Sequence, residues 1–186
     1  MLPVYMLDKR LLPEDSDRRC GIMTPKFITI HETSLGTDIR DTKGGTMYIA
    51  SYYENVLNKP DERHVAYHYL VEANHERIAK VYQFLEPNVI AHHTGTEEGN
   101  SQSIGIERLV NTDTDMKRAI AVQALLTAEL MKKYKIDINN VVPHKYWSGK
   151  ECPARLLAGM YGGWDGFINL VKNYYIEISQ IRPIPR

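Results

Sequence analysis

The sequence predicts an α/β domain in which a central mixed β-sheet is flanked by helices on both faces. Apolar runs of strand length, rich in β-branched and aromatic residues, alternate with longer segments that carry apolar residues at three- and four-residue steps. Two of the runs flank the turn at Asn74-His75 and are typical of a hairpin, which adds an antiparallel pair to the sheet. The 186 residues suit one domain. We therefore assign 1–178 to a single domain and 179–186 to a tail or the start of a linker.

Five β-strands are predicted after an irregular N-terminal segment. Residues 1–25 contain three prolines and a charged cluster, which exclude a long helix, so we expect this segment to be extended along the surface. The predicted strands, each rich in β-branched or aromatic residues, are 27–31, 65–71, 78–84, 103–110 and 141–142. The second and third form the hairpin.

Four helices are predicted from apolar periodicity. The clearest is 113–134, because it carries a core-facing apolar stripe and begins with several residues that can cap a helix. The polar segment 33–45 precedes the first helix and is expected to be a loop that lines a substrate groove. The predicted helices are 46–57, 113–134, 154–158 and 164–178.

Composition narrows the class of protein. The net charge is +0 and the sequence pI is 7.1, so the overall field favours neither nucleic acid nor an anionic membrane as a partner. Charged residues at 8–10 interrupt the N-terminal apolar residues before a signal-peptide core could form, and the apolar segment 119–131 is too short to cross a bilayer. We therefore expect synthesis in the cytoplasm without a signal peptide and no membrane insertion. Two cysteines exclude a disulfide framework.

The segment 141–157 carries groups that suit zinc. His144 offers a neutral imidazole, Cys152 a thiolate, and Lys150 a positive charge close to the sulfur. The proline after Cys152 is predicted to begin a helix, so the helix dipole and Lys150 are expected to lower the thiol pKa. His31, at the exit of the first predicted strand, is the best candidate for a third ligand. Two histidines and one cysteine leave the fourth position of a catalytic zinc centre open for water.

Two polar residues inside predicted strands each admit two interpretations. Glu107 lies among apolar neighbours, and an unpaired buried carboxylate is costly. Acid/base catalysis explains its placement, and a buried salt bridge to an arginine is the structural alternative. His68 alternates with Tyr67 and therefore points to the opposite face of its strand, where a hydrogen-bonded structural role and a functional role are equally compatible with the pattern.

Four segments together resemble one protein family. They are ITIHET, which contains His31; VAYHYLVE in the hairpin; HTG with NSQSIGIE, from His93 to Glu107; and HKYWSGKECP, which begins at His144. In this order they are similar to the zinc N-acetylmuramoyl-L-alanine amidases, the group that includes amidase-type phage lysozymes and resembles peptidoglycan recognition proteins. The resemblance covers residues 26–160, and its last segment is the most specific.

The resemblance implies a mixed β-sheet flanked by helices, and it implies zinc as the cofactor. The chain departs from the family pattern at Thr94, where alanine is common, at His92, where an aromatic residue is common, and at Arg108 after the IGIE segment. The implied roles are zinc ligation by His31, His144 and Cys152, acid/base catalysis by Glu107, assistance at the scissile carbonyl by Lys150, and substrate binding by Tyr67 and His93.

The implied activity is hydrolysis of bacterial peptidoglycan at the amide bond between the lactyl group of N-acetylmuramic acid and the L-alanine of the stem peptide. Because no export signal is visible, we expect the catalytic domain of a phage or prophage endolysin that acts on the cell wall after release by another route. We expect a monomer, whose tail could lead into a cell-wall-binding module of a longer protein.

Other functions remain open at the level of the sequence. A non-catalytic peptidoglycan-binding protein on the same fold is one, although loss of the cysteine ligand usually marks that branch and Cys152 is present. A cytoplasmic amidase that recycles muropeptides is another. A thiol hydrolase would use Cys152 as nucleophile and His144 as base. A purely structural zinc would need a fourth protein ligand.

Overall fold

Six strands form one mixed sheet in the part of the chain that the structure, a computed structural model, describes: residues 1–33, 64–74, 78–110 and 114–180. The strands are β1 (Tyr5–Lys9), β2 (Phe27–Ile30), β3 (Tyr69–Glu72), β4 (Ala79–Gln83), β5 (Ser103–Arg108) and β6 (Val141–Pro143). Their spatial order is β1-β4-β3-β5-β2-β6. Every neighbouring pair is parallel except β3 and β4, which form the predicted antiparallel hairpin.

The predicted strands differ from the observed ones in two respects: one strand was not predicted, and another begins later than predicted. The N-terminal segment, expected to be irregular, contains β1, which pairs with β4 at the edge of the sheet. An edge strand with little burial shows no clear alternation of apolar and polar residues, so its pattern gives little signal. The predicted strand 65–71 also starts later than expected, because Val65 forms only an isolated bridge with His92 and the ladder begins at Tyr69.

Five α-helices accompany the sheet in the described ranges. They are α1 (Glu97–Gln102), α2 (Met116–Tyr134), α3 (Lys145–Ser148), α4 (Ala154–Leu157) and α5 (Gly163–Gln180). The helix predicted at 113–134 is confirmed as α2, and its N-cap is Asp115, whose carboxylate accepts the Arg118 backbone N–H at 3.1 Å. The short helices α1 and α3 were not expected from the sequence.

Two predicted elements cannot be compared with the structure. The predicted helix 46–57 lies outside the described residues, as does the predicted loop 33–45 except for its first residue. Of the helices that are described, none combines the length and the apolar character needed to cross a membrane.

The two faces of the sheet have different roles because neighbouring side chains along a strand point in opposite directions. The isoleucines of β2 and β5 are fully buried in the main apolar core, together with residues of α2 and α5. The alternate positions Thr29, His31, Gly105 and Glu107 therefore point to the other face. There Trp147 of α3 donates a hydrogen bond to Thr29 Oγ1 at 2.8 Å. Helices lie on both faces, as predicted, and the candidate site is on the face opposite α2.

Candidate metal centre

Two histidines lie at the carboxyl ends of two neighbouring parallel strands, β2 and β6. His31 follows β2 directly and His144 follows β6, and the parallel register places Ile30 opposite Pro143. The carboxyl ends of these strands therefore coincide, as they do at the ligand sites of other α/β sheets. Cys152 reaches the same point from the segment between α3 and α4. The ligand atoms of the two histidines and the cysteine all lie within 4.8 Å of one another, and all three residues are buried.

Hydrogen bonds to backbone carbonyls fix the tautomers of the histidines. A carbonyl only accepts, so His144 Nε2 carries a proton and donates to the Thr94 oxygen at 2.9 Å. His93 Nε2 likewise donates to the Ser103 oxygen at 3.1 Å, which leaves His93 Nδ1 as an acceptor. His31 Nε2 lies 3.0 Å from that nitrogen and is therefore its donor. It follows that Nδ1 carries the lone pair in both His31 and His144.

The two Nδ1 atoms lie 3.1 Å apart, and neither has a proton to place between them. Two lone pairs that face each other repel, and a shared cation removes the repulsion. Cys152 Sγ is 4.0 Å from His31 Nδ1 and completes a soft donor set. Two imidazole nitrogens and a sulfur are the ligands of a catalytic zinc centre with one open position. The chemistry of these donors therefore fits zinc.

Burial keeps the histidines of the site neutral, as metal ligation requires. It lowers the pKa of His31 well below its ordinary value, and the charges of the neighbouring His93, His144 and Lys150 lower that pKa further. Burial also lowers the pKa of His144, and it lowers the pKa of His93 to about 3. At neutral pH each ring therefore presents one N–H and one lone pair.

The expected low pKa of the Cys152 thiol is wrong for the metal-free protein. Burial and, to a smaller extent, the negative charge of Glu107 together raise this pKa to about 12, against the smaller lowering effect of Lys150. The helix dipole gives little help because α4 has only four residues and begins after Pro153, so Cys152 lies outside its N-cap. A cation in contact with the sulfur is the group that would stabilise the thiolate here.

Glu107 lies close to the candidate ligand His31 and has no ion pair with an arginine in the described ranges. Its Oε1 is 4.0 Å from His31 Nδ1, and its Oε2 is buried without a hydrogen-bond partner among the described residues. Burial raises the pKa of this carboxyl to about 8, although the charges of Lys150 and Arg108 act in the opposite direction. The neighbouring Arg108 pairs with Glu32 instead. The salt bridge considered as the structural alternative is therefore absent from the described contacts of Glu107.

An open cavity of about 930 Å³ borders the candidate centre. The candidate ligand His144 lines it together with Lys150, and further lining residues are His92 and His93, which precede α1, and Asn100 within α1. Lys150 is exposed, so its ammonium group can reach a molecule in this cavity. The cavity is large enough for a substrate of several sugar or amino-acid units.

The two predicted substrate-binding residues lie deeper than the sequence suggests. Tyr67 is 5% exposed, and its ring packs edge-on against Phe84 with centroids 5.7 Å apart. His93 lines the cavity, but its two nitrogens are engaged by His31 and Ser103. Its ring also lies against Gly105, where an added Cβ would be 2.8 Å from Nδ1. Substrate binding by Tyr67 and His93 stays a prediction.

His68 is a structural residue in this arrangement. Its Nδ1 accepts the Gly105 backbone N–H at 2.9 Å, and its Nε2 donates to the Val89 oxygen at 2.9 Å. Burial lowers the pKa of His68 to about 4, so the ring stays neutral between its two backbone partners. It thereby ties β5 to the segment before α1.

No sequence signal marks the backbone carbonyls that orient the histidines. Every residue type carries a backbone carbonyl, so the identities of Thr94 and Ser103 do not reveal this role. The fold alone brings their oxygens to the histidines. Of the groups that orient the ligands, His93 alone had a sequence signal, because it lies in the HTG segment of the family resemblance.

We expect His93→Leu to weaken zinc binding about 10- to 100-fold, because the acceptor that orients His31 Nε2–H is lost. His93→Asn is the matched variant, since its amide can keep an acceptor close to the position of Nδ1, and it should retain more affinity. Competition with a chromophoric chelator measures the Kd of each variant. Equal zinc affinity in the leucine variant and the parent would contradict the orienting role.

The chain has clear relatives among known proteins. The profile of the family described as N-acetylmuramoyl-L-alanine amidase matches residues 22–155. The N-acetylmuramoyl-L-alanine amidase XlyA of Bacillus subtilis (strain 168) is 36% identical over 162 residues, which cover 84% of this chain and 48% of that protein. The N-acetylmuramoyl-L-alanine amidase CwlH of the same organism is 33% identical over 186 residues, covering 96% of this chain and 67% of that protein.

A solved structure of a mutant endolysin from Bacillus subtilis is similar in fold, with a TM-score of 0.74 and 33% sequence identity, and the match covers 90% of this chain and 99% of that one. The chain spans about half the length of XlyA. The family match, 22–155, includes His31, Glu107 and Cys152 and therefore the whole candidate centre. This chain belongs to the N-acetylmuramoyl-L-alanine amidase family.

Proposed function

We propose that this chain is a zinc-dependent peptidoglycan hydrolase that cleaves the amide bond between the lactyl group of N-acetylmuramic acid and the L-alanine of the stem peptide. The observation that carries the proposal is the convergence of two unprotonated Nδ1 atoms and a buried sulfur at the edge of an open cavity. The names of XlyA and CwlH support the choice of the amide bond as the target.

His31, His144 and Cys152 would hold the metal. Bound there, zinc would lower the pKa of water and polarise the scissile carbonyl. Glu107 is the group beside the ligands that can take a proton at Oε2, because that oxygen has no hydrogen-bond partner in the described part of the chain. Its pKa of about 8 suits a residue that must both accept and release a proton near neutral pH.

The remaining chemistry needs one water molecule and two side chains. The water oxygen forms a bond to the carbonyl carbon, and Glu107 accepts the proton that the water gives up. Lys150, which borders the cavity, stabilises the negative charge that develops on the carbonyl oxygen. As the carbon–nitrogen bond breaks, Glu107 returns the proton to the leaving amine of L-alanine. The products are a free lactyl carboxylate and a stem peptide with a new amino terminus.

The geometry speaks against a thiol hydrolase. Cys152 is 5% exposed, and burial holds the pKa of its thiol at about 12, so the nucleophilic thiolate would be scarce at neutral pH without a metal. A thiol nucleophile needs the opposite environment, with access to substrate and a lowered pKa.

The amide hydrolase could be an endolysin or a cytoplasmic enzyme that recycles muropeptides. We favour an endolysin that acts on the cell wall after release, because a similar solved structure carries the name endolysin.

Digestion of purified bacterial cell wall tests the proposal. We expect new alanine amino termini without new reducing ends, loss of activity after treatment with a chelator, and recovery when zinc is added back. An alkylating reagent applied to the metal-loaded protein should have little effect, because the sulfur would be buried and coordinated. New reducing ends would identify a glycosidase instead, and full activity in metal-free protein would remove zinc from the mechanism.

A further inference from the structure

A buried ion pair that the proposed mechanism does not use lies directly behind the candidate metal centre. The side chains of Glu32 and Arg108 are 3% and 0% exposed. Arg108 donates from Nη2 to Glu32 Oε2 and from Nη1 to Gln123 Oε1, the latter at 2.6 Å. Glu32, Arg108 and Gln123 form a buried polar triad. The three residues come from the end of β2, the end of β5 and the middle of α2.

Glu32 connects the two metal-ligand segments that are most distant in sequence. It follows His31 directly, and its backbone N–H donates to Cys152 Sγ at 3.4 Å. Its Oε1 accepts two hydrogen bonds from Arg155, one from the backbone nitrogen at 3.0 Å and one from Nη1 at 3.1 Å. Arg155 lies three residues after Cys152. The Glu32 carboxylate thus fixes the segment that carries His31 relative to the segment that carries Cys152.

Gln123 holds the same region from the other face of the sheet. Its Nε2 donates to the backbone oxygen of His31 and to that of Ile106, each at 3.0 Å. The amide therefore fastens the end of β2 to β5 at the ligand itself. Because Gln123 Oε1 also accepts from Arg108, the orientation of this amide is set by the ion pair.

Stability alone does not account for such an arrangement. Removing two charges from water is costly, and a buried ion pair replaced by apolar residues of similar volume often leaves stability unchanged or increased. Arg108 Nε is buried and has no hydrogen-bond partner in the described ranges, which adds to the cost. The triad does fix the orientation of the Glu32 and Gln123 side chains, because the Arg108 guanidinium binds them through a rigid planar fork.

We propose that the buried polar triad is a positioning device that holds His31 and Cys152 at the spacing a metal needs, so that metal affinity depends on it. The inference rests on the proposed function through its metal site. Glu32, Arg108 and Gln123 are not among the candidate ligands, and they act by fixing the His31 carbonyl, the Glu32 N–H and the Arg155 backbone. Groups behind first ligands commonly change metal affinity 10- to 100-fold.

A double-mutant cycle of zinc affinity tests the proposal. The variants are Glu32→Gln, Arg108→Met and the two combined, each compared with the parent by chelator competition under conditions in which the metal-free protein is folded. We expect each single variant to weaken zinc binding about 10- to 100-fold, and the double variant to be no weaker than the worse single, since both changes break one device. Fully additive losses, or unchanged Kd values, would overturn it.

Urea unfolding of the same metal-free variants separates positioning from structural support. Tyr82→Phe is the matched control, because it removes the buried 2.7 Å hydrogen bond to Glu72 in the hairpin, away from the centre. The control should lose stability and keep its zinc affinity. If the triad variants behaved like this control, their role would be structural only. Arg108→Lys keeps the charge without the fork and serves where the methionine variant does not fold, with an intermediate loss of affinity expected.

Cobalt substitution gives a readout independent of affinity and of hydrolysis. The visible absorption bands of Co²⁺ bound to the parent would report the sulfur ligand and the coordination geometry. We expect these bands to shift and weaken in Glu32→Gln, since an amide keeps only one of the two acceptor oxygens and cannot hold both Arg108 and Arg155 in place. Identical spectra in parent and variant would contradict positioning. A parent that binds no metal at all would instead remove the proposed function itself.

Discussion

Replacing Cys152 with serine is expected to abolish tight zinc binding and with it peptidoglycan hydrolysis. A serine hydroxyl stays protonated where a thiol coordinated to zinc gives up its proton, so the site keeps two imidazoles and loses the one anionic ligand found among the described residues. A ligand that binds the folded state and not the unfolded state stabilises the folded state. The gain is about 4 kcal/mol when the free ligand concentration is about 1,000 times its Kd. We therefore also expect the variant to lose the zinc-dependent part of its thermal stability.

Cys20→Ser provides the matched control for this change. Cys20 is a free, partly exposed cysteine whose Sγ lies 3.8 Å from the Asp17 backbone oxygen, and it takes no part in the candidate centre. Metal content by mass spectrometry and melting curves with and without a chelator give the comparison. The parent and the control should lose stability on chelation, and Cys152→Ser should not. A stoichiometric zinc content in Cys152→Ser would show that the sulfur is not a ligand.

The residues that converge on the centre could be predicted because each carries a local signal. His31 ends a buried β-branched run, and His144 follows a second short run, so parallel pairing of the two strands brings the histidines together. Cys152 was singled out by its chemistry and by the motif around it. The sheet and the long helices were predictable for a similar reason, since apolar periodicity is a property of one segment at a time.

What the sequence could not supply depends on burial and on contacts between distant segments. The pKa of Cys152 was predicted from Lys150 and the helix dipole, whereas the depth of burial decides it. The six residues of α1 carry no apolar periodicity, although its start is marked by Thr96, whose side chain accepts the Gly99 N–H at 3.2 Å. The ion pair of Glu32 and Arg108 joins residues 76 positions apart, and the sequence around either residue does not indicate its partner.

Glu107→Gln is expected to leave zinc bound and to reduce hydrolysis about 100- to 10,000-fold, the range typical for a residue that transfers protons in the transition state. Glutamine has nearly the same shape as glutamate, and the amide cannot accept a proton from water or return one to the leaving amine. Glu98→Gln makes the same chemical change on the exposed surface of α1 and should keep the activity of the parent. Release of alanine amino termini and zinc content, measured on both variants, decide the matter.

The same variant carries a pH signature in the metal-free protein. Because the pKa of Glu107 is raised from 4.5 to about 8 by burial, the folded chain holds a proton that the unfolded chain has released between these two values. The contribution of Glu107 to stability is therefore fully present below pH 4.5 and declines as the pH rises towards 8. Glutamine has no such proton, so the free energy of unfolding of Glu107→Gln, relative to the parent, should increase across this interval. A difference that stays constant from pH 4.5 to 8 would show that Glu107 is ionised in the metal-free protein throughout this interval. The proton transfer would then fall to a carboxylate whose pKa is close to the ordinary value of 4.5.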